Sequence, residues 1–311
     1  MKSSGECRSN EVQILPKKSD FIRWSKTFDD SGDLVFASQS QLQLLRDLGG
    51  IVLTKEEVKA QSGQIWSLNQ RSWYRYALDN SEHCAFLPPS AIENLPEKQV
   101  NELASEQIRR GVPVLLEKKH VAQQLASKLY QVKGIFWLTS ASWQKLSSNE
   151  KTLATEGWFA QADIEIRTGI KPTKIENFTK RENEIAQWFH LVDTFSPSSG
   201  PNCFAAVAQA IFPTLGRMFY KQWLHWGPFS RFLQENGYFA INMGIPQERD
   251  ILVFARKDLL LHAVFCLDGT FCFEKLGQDF YEPYRIQTLV KLFDEWPGTD
   301  LRIWRKATSS F

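Results

Sequence analysis

Apolar positions along the chain fall into two textures. Between Asp33 and Thr155, short apolar runs alternate with stretches of helical periodicity. Residues 34–37 (Leu-Val-Phe-Ala), 51–54 (Ile-Val-Leu-Thr) and 134–139 (Gly-Ile-Phe-Trp-Leu-Thr) read as strands. Residues 41–48, 97–110, 121–132 and 140–155 read as helices. The first of these takes Ser40 as its N-cap and stops at Gly49-Gly50; the second stops at Gly111, because glycine tolerates the left-handed C-cap. Strand–helix alternation predicts an α/β N-terminal domain over residues 1–170, with residues 1–20 as a frayed polar tail.

The second texture begins beyond a linker at 167–174, where Gly, Pro and charge replace periodicity. Thr179-Lys-Arg-Glu182 is a capping box, and Ile185, Trp188, Phe189 and Val192 follow on one helical face with His190 off it. Residues 196–202 (Ser-Pro-Ser-Ser-Gly-Pro-Asn) form a turn-rich loop. The loop runs into a helix from Cys203 to Phe212, stopped by Pro213, and a further helical stretch closes at Gly237-Tyr238. Residues 251–255, 259–266 and 270–275 are strand-like. Helices followed by a run of strands predict an α+β C-terminal domain over residues 175–311.

Composition narrows the function classes. The 311 residues are 43% hydrophobic and 23% charged, which suits packed domains and excludes a disordered chain. A net charge of +2 provides no field for binding nucleic acid. The N-terminal residues lack an apolar signal core, and no run is long enough to span a membrane. Five cysteines are an odd and sparse set, so no disulfide framework is expected and a reducing cytoplasm fits. Phosphate-binding and dinucleotide-binding glycine motifs, the serine-hydrolase elbow and the zincin motif are all missing. Cys266 and Cys272 flank a hairpin, but no ligand stands at zinc spacing, so neither a metal nor a cofactor is expected. Adjacent His83 and Cys84 would face opposite sides of a strand and are read as incidental.

One constellation carries chemistry. Cys203 stands in the first turn of its helix, where the macrodipole favours thiolate and backbone N–H groups lack helical partners. A small buried residue at a helix start would look the same. Downstream, Leu267-Asp-Gly-Thr270 suits a three-residue hairpin loop of Asp268, Gly269 and Thr270, with Leu267 facing Phe271. That register sets Val264 opposite Glu274 and puts His262 diagonally across from Glu274 on one face. A two-residue loop would separate them. An imidazole held by a carboxylate is a general base fixed in one tautomer.

Taken in order, these segments resemble the NlpC-type branch of the papain-like cysteine peptidases, over about residues 180–305. The loop 196–202 with Cys203 resembles the loop that carries the family's nucleophile. Glu248-Arg-Asp250-Ile-Leu-Val-Phe254 resembles its Gly-Asp-apolar strand, and residues 262–274 its histidine hairpin. The resemblance implies a helix-borne cysteine packed on an antiparallel sheet, with Cys203 as nucleophile, His262 as base and Glu274 as orienter. The family's tyrosine, about a dozen residues before the nucleophile, is missing; His190 and Leu191 occupy that stretch. Asn202, Ser196, Ser198 and Ser199 are then the candidates for holding an oxyanion or substrate. The implied function is a thiol-dependent hydrolase or acyl transferase acting on a peptide, amide or ester. The alternative is a papain-like scaffold kept as a non-catalytic binding module.

Overall fold

All pairings between the described strands are antiparallel, so the helices cover sheets instead of serving as crossovers between parallel strands. The computed structural model describes residues 11–54, 56–57, 69, 83–110, 112, 115–161, 167–171, 188–212, 217–219, 223–241 and 244–307. The chain forms two compact units. One comprises residues 17–165 and 197–199; the other comprises residues 1–16, 166–196 and 200–311.

In chain order the elements are β1 (Glu11–Gln13), α1 (Lys18–Ser25), β2 (Asp33–Ala37), α2 (Leu42–Asp47), β3 (Ile51–Thr54), β4 (His83–Leu87), α3 (Glu97–Arg109), β5 (Leu115–Glu117), β6 (Tyr130–Val132), β7 (Ile135–Trp137), α4 (Ser140–Gln144) and α5 (Ser148–Gln161). They continue with β8 (Thr168–Ile170), β9 (Thr194–Phe195), α6 (Cys203–Ile211), α7 (Trp226–Glu235), β10 (Tyr238–Ile241), β11 (Ile251–Arg256), β12 (Leu259–Cys266), β13 (Phe271–Lys275), β14 (Pro283–Thr288), α8 (Leu289–Glu295) and β15 (Asp300–Lys306).

The first unit holds two three-stranded sheets, β2-β4-β3 and β5-β7-β6. This corrects the α/β expectation, since strand–helix alternation does not determine strand direction. The helix expected over 121–132 is also corrected: residues 123–125 form a 3-10 turn and Tyr130–Val132 form β6. Lys133 and Gly134 both take positive φ, 49° and 76°, in a two-residue turn that pairs Val132 with Ile135. Gly134 therefore makes a hairpin. The helix expected at 140–155 is broken into α4 and α5, because Ser147 and Glu150 cap each other's backbone N–H at a new helix start. Ser38, not Ser40, opens the turn before α2; its N–H bonds to the Gln41 side chain at 2.9 Å.

The second unit is built on a seven-stranded sheet ordered β10-β15-β11-β12-β13-β14-β9. Alternation along the strands gives it two buried faces. Ile251, Val253, Ala263, Phe265 and Phe273 pack with α6 and α7 on one face. Leu252, Phe254, Val264, Cys266 and Cys272 pack with Leu289 and Leu292 of α8 on the other. The unit is thus a mixed α+β layer structure. Residues Cys203 to Ala210 of α6 are all buried, and the small side chains of Ala205, Ala206 and Ala208 suit close packing.

Two readings of the N-terminal tail and linker change. Residues 11–13 are strand β1, paired with β8, and both belong to the second unit. Thr168–Ile170 of the expected linker is therefore a strand, and Arg167 beside it forks onto Glu282 at 3.1 Å. The capping box at 179–182 and Ile185 lie outside the described residues. No helix among the described residues is long and apolar enough to cross a membrane.

Candidate active site

Asn202 starts α6 as its N-cap. Its Oδ1 accepts the Ala205 N–H at 3.2 Å and the Leu224 N–H at 3.3 Å, while Nδ2 donates to the Leu224 carbonyl at 2.9 Å. The residue proposed from sequence as an oxyanion donor is thus engaged in capping and in holding the 224 segment. One N–H of its amide is left over. Cys203 follows, 5% exposed, at the positive end of the helix. Ahead of the cap, Gly200 adopts φ 142°, and its N–H donates to the Gln278 carbonyl at 2.8 Å. Ser196 and Ser199 are buried and Ser198 is half-buried. The Ser199 hydroxyl has no hydrogen-bond partner among the described residues.

The hairpin that carries the histidine has the three-residue loop. Asp268 Oδ1 accepts the N–H groups of Thr270 and Phe271 at 2.7 and 2.8 Å, and Leu267 N–H bonds to the Phe271 carbonyl at 2.9 Å. Phe265 pairs with Phe273 and Cys266 with Cys272, and the β12–β13 ladder stops there. From that point β12 continues along β11, with His262 opposite Phe254 beside a bulge. β13 continues along β14, with Glu274 opposite Arg285. Past the end of the ladder, His262 Nε2 meets Glu274 Oε2 at 2.5 Å, with both side chains fully buried. Trp296 stacks on the imidazole at 4.9 Å between ring centroids and 11° between planes.

Three residues at this site escaped sequence reasoning: Arg285, Glu295 and Trp296. Arg285 Nε donates to Glu274 Oε1 at 2.6 Å, Nη2 to Glu295 Oε2 at 2.6 Å and Nη1 to the Thr168 carbonyl at 3.3 Å. Without these partners a buried carboxylate would cost several kcal/mol. The signal for Arg285 was its cross-strand place opposite Glu274. The 276–282 connection does not reveal that register without a structure.

Electrostatics follow from these contacts. Burial alone would push the His262 pKa down, but the nearby Cys203 side chain and the hydrogen bond and charge of Glu274 outweigh it and raise the group to about 9. Burial would likewise push Glu274 up, yet the Arg285 charge and the His262 bond hold it at about 2. The pair is therefore imidazolium–carboxylate at neutral pH. Cys203 lies near enough for its side chain to raise His262, while His262 Nδ1 makes no hydrogen bond among the described residues. The structure thus brings Cys203, His262 and Glu274 together, with Arg285 behind them.

The other sequence candidates sit apart from this row. Asp250 is buried and forks with Arg305 at 2.8 and 2.6 Å, tying β11 to β15. Cys84 is buried in β4, where desolvation pushes its thiol up. Comparison of the chain with protein-family models, curated proteins and solved structures found no match.

Proposed function

We propose that the second unit is a papain-like thiol enzyme that transfers an acyl group from an amide or ester through a thioester on Cys203. The observation that carries this reading is the buried His262–Glu274 hydrogen bond, with Cys203 at the capped start of α6 near enough to raise the imidazole. Cys203 Sγ attacks the carbonyl carbon, and the thiol proton resides on His262. The tetrahedral oxyanion is held by first-turn N–H groups of α6, which have no helical acceptor, with Ser196 as the side-chain candidate in the same unit. Collapse breaks the carbon–nitrogen or carbon–oxygen bond, and His262 protonates the departing amine or alcohol. Water or an amine then attacks the thioester, giving up its proton to His262 and releasing the thiol. Glu274 keeps the imidazole in one orientation throughout. A free thiol doing this chemistry belongs in a reducing compartment, and we place it in the cytoplasm.

A second reading, a binding module on the same scaffold, is favoured by the burial of the row: His262 and Glu274 are fully covered and Cys203 is 5% exposed. Rapid mixing with p-nitrophenyl acetate separates the two. The enzyme reading expects a burst of about one nitrophenolate per chain, lost in Cys203→Ala. A wild-type trace that matches Cys203→Ala would favour the binding module.

A further inference from the structure

Glu274 faces the α8 side of the sheet, and its neighbour Lys275 faces the α6 side. Lys275 pairs with Tyr284 across β13–β14, and Tyr284 packs in the core that contains Cys203. Lys275 is fully buried, yet it makes no ion pair of the usual close kind among the described residues. Its Nζ instead donates to two backbone carbonyls, Gly277 at 2.5 Å and Asp279 at 2.7 Å. Those carbonyls bracket Gln278, whose own carbonyl accepts the Gly200 N–H at 2.8 Å. Gly200 lies three residues before Cys203. A buried cation therefore clamps one turn, and that turn holds the loop that delivers the nucleophile.

We propose that Lys275 is a positioning residue for the Cys203 thiol, acting through the Gly277–Asp279 turn and Gly200. Retaining a charge at a fully buried site is costly, and a purely structural clamp could have been built from a neutral donor. The charged groups around the ammonium are Glu282, Asp279 and Cys203. Glu282 is already engaged by Arg167, and Asp279 accepts the Tyr281 hydroxyl at 3.1 Å. Burial nonetheless dominates at the lysine and holds it down at about 8. Lys275 thus lies on the face of the sheet that packs with Cys203, opposite Glu274.

This inference deepens the thiol-enzyme reading, but its test does not need turnover. Cys203 alkylation by iodoacetamide is followed against pH in the full chain. Lys275→Met replaces the side chain by an apolar one of similar length. Its expected effect is alkylation about tenfold slower at pH 7 and a profile moved up by about one pH unit. Lys275→Arg keeps a cation and is expected to recover most of the shift. Gly200→Ala loads strain on the same loop from its other end, and its effect on the profile should be less than additive with that of Lys275→Met. If Lys275→Met does not fold, Gly200→Ala carries the test. A folded Lys275→Met whose profile overlays the wild type, or Gly200→Ala at wild-type reactivity, overturns the proposal. Failure of the acyl-transfer reading would show as a normal alkylation profile with no acyl turnover, which is a different result.

Discussion

Arg285 Nε donates to Glu274 Oε1 at 2.6 Å across the β13–β14 ladder, and it does so from a position that is itself buried. The guanidinium turns a carboxylate that would resist ionisation into one held at about 2. The carboxylate in turn favours the imidazolium on β12. Arg285 therefore reaches the cysteine site through two intermediates, without touching it.

Arg285→Met should unsettle that relay more than a surface charge loss would. Glu274 would remain buried without its cation, a situation that costs about 3–5 kcal/mol. Protonation of Glu274 would relieve part of the cost, and the His262 titration would move down. Denaturant unfolding combined with imidazole NMR reads both effects. Unchanged stability and an unchanged imidazole titration would show that Glu274 does not depend on Arg285.

The two units should lose stability with rising pH in different windows. His262 is raised in the folded unit, so its stabilisation is complete below about 6.5 and is lost as pH rises through about 9. Glu274 is lowered, so its stabilisation is complete above its ordinary 4.5 and is lost as pH falls through about 2. These two groups therefore predict a plateau for the second unit between about 4.5 and 6.5. In the first unit, burial raises Asp33 to about 6 against its hydrogen bonds from Ser140. A raised acid contributes stability below its ordinary 3.8, and that stability declines as pH rises through 6, by about 3 kcal/mol in all. Asp33→Asn should flatten the decline. Hydrogen exchange resolved by peptide from pH 4 to 9 distinguishes the two curves; parallel curves would refute the assignments.

The hairpin was legible in sequence because its loop chemistry is local. Asp268 bonds forward to Thr270 and Phe271, and that fixes Leu267 against Phe271 and His262 near Glu274. The helix start at Cys203 was legible for the same reason, since its cap, Asn202, is the preceding residue. Arg285, Glu295 and Trp296 were not, because their places depend on how β14 and α8 return to the sheet. Strand direction in the first unit was hidden as well, since a strand–helix alternation is compatible with parallel crossovers and with small antiparallel sheets. Residues 11–13 look like a polar tail until Thr168–Ile170 supplies their partner strand.

Cysteine reactivity should follow burial and company. Cys84, Cys266 and Cys272 are fully covered, and desolvation pushes all three thiols up. Cys203 should therefore be alkylated fastest of the four described cysteines, and a Cys7→Ser background removes the remaining thiol, which lies outside the described residues. Timed iodoacetamide labelling with peptide mapping ranks them. Faster labelling of Cys84 or Cys266 would contradict the special position of Cys203.

Glu274 variants should grade the same reactivity. Glu274→Gln retains an acceptor for His262 but removes the charge, so the alkylation profile should shift while the fold survives. Glu274→Ala should shift it further, because the imidazole loses its orientation as well as its counter-charge. Superimposable profiles for wild type and both variants would reduce the site to a Cys203–His262 dyad.

The central claim is that Cys203 forms a covalent acyl bond. Intact-mass analysis of the full chain after brief exposure to an activated peptide ester, with the reaction quenched in acid, reads that bond directly. The expected result is one added acyl mass per chain, mapped to Cys203, lost in Cys203→Ala and accumulating more slowly in His262→Ala. An unmodified mass, or an adduct that maps elsewhere and persists in Cys203→Ala, would contradict it.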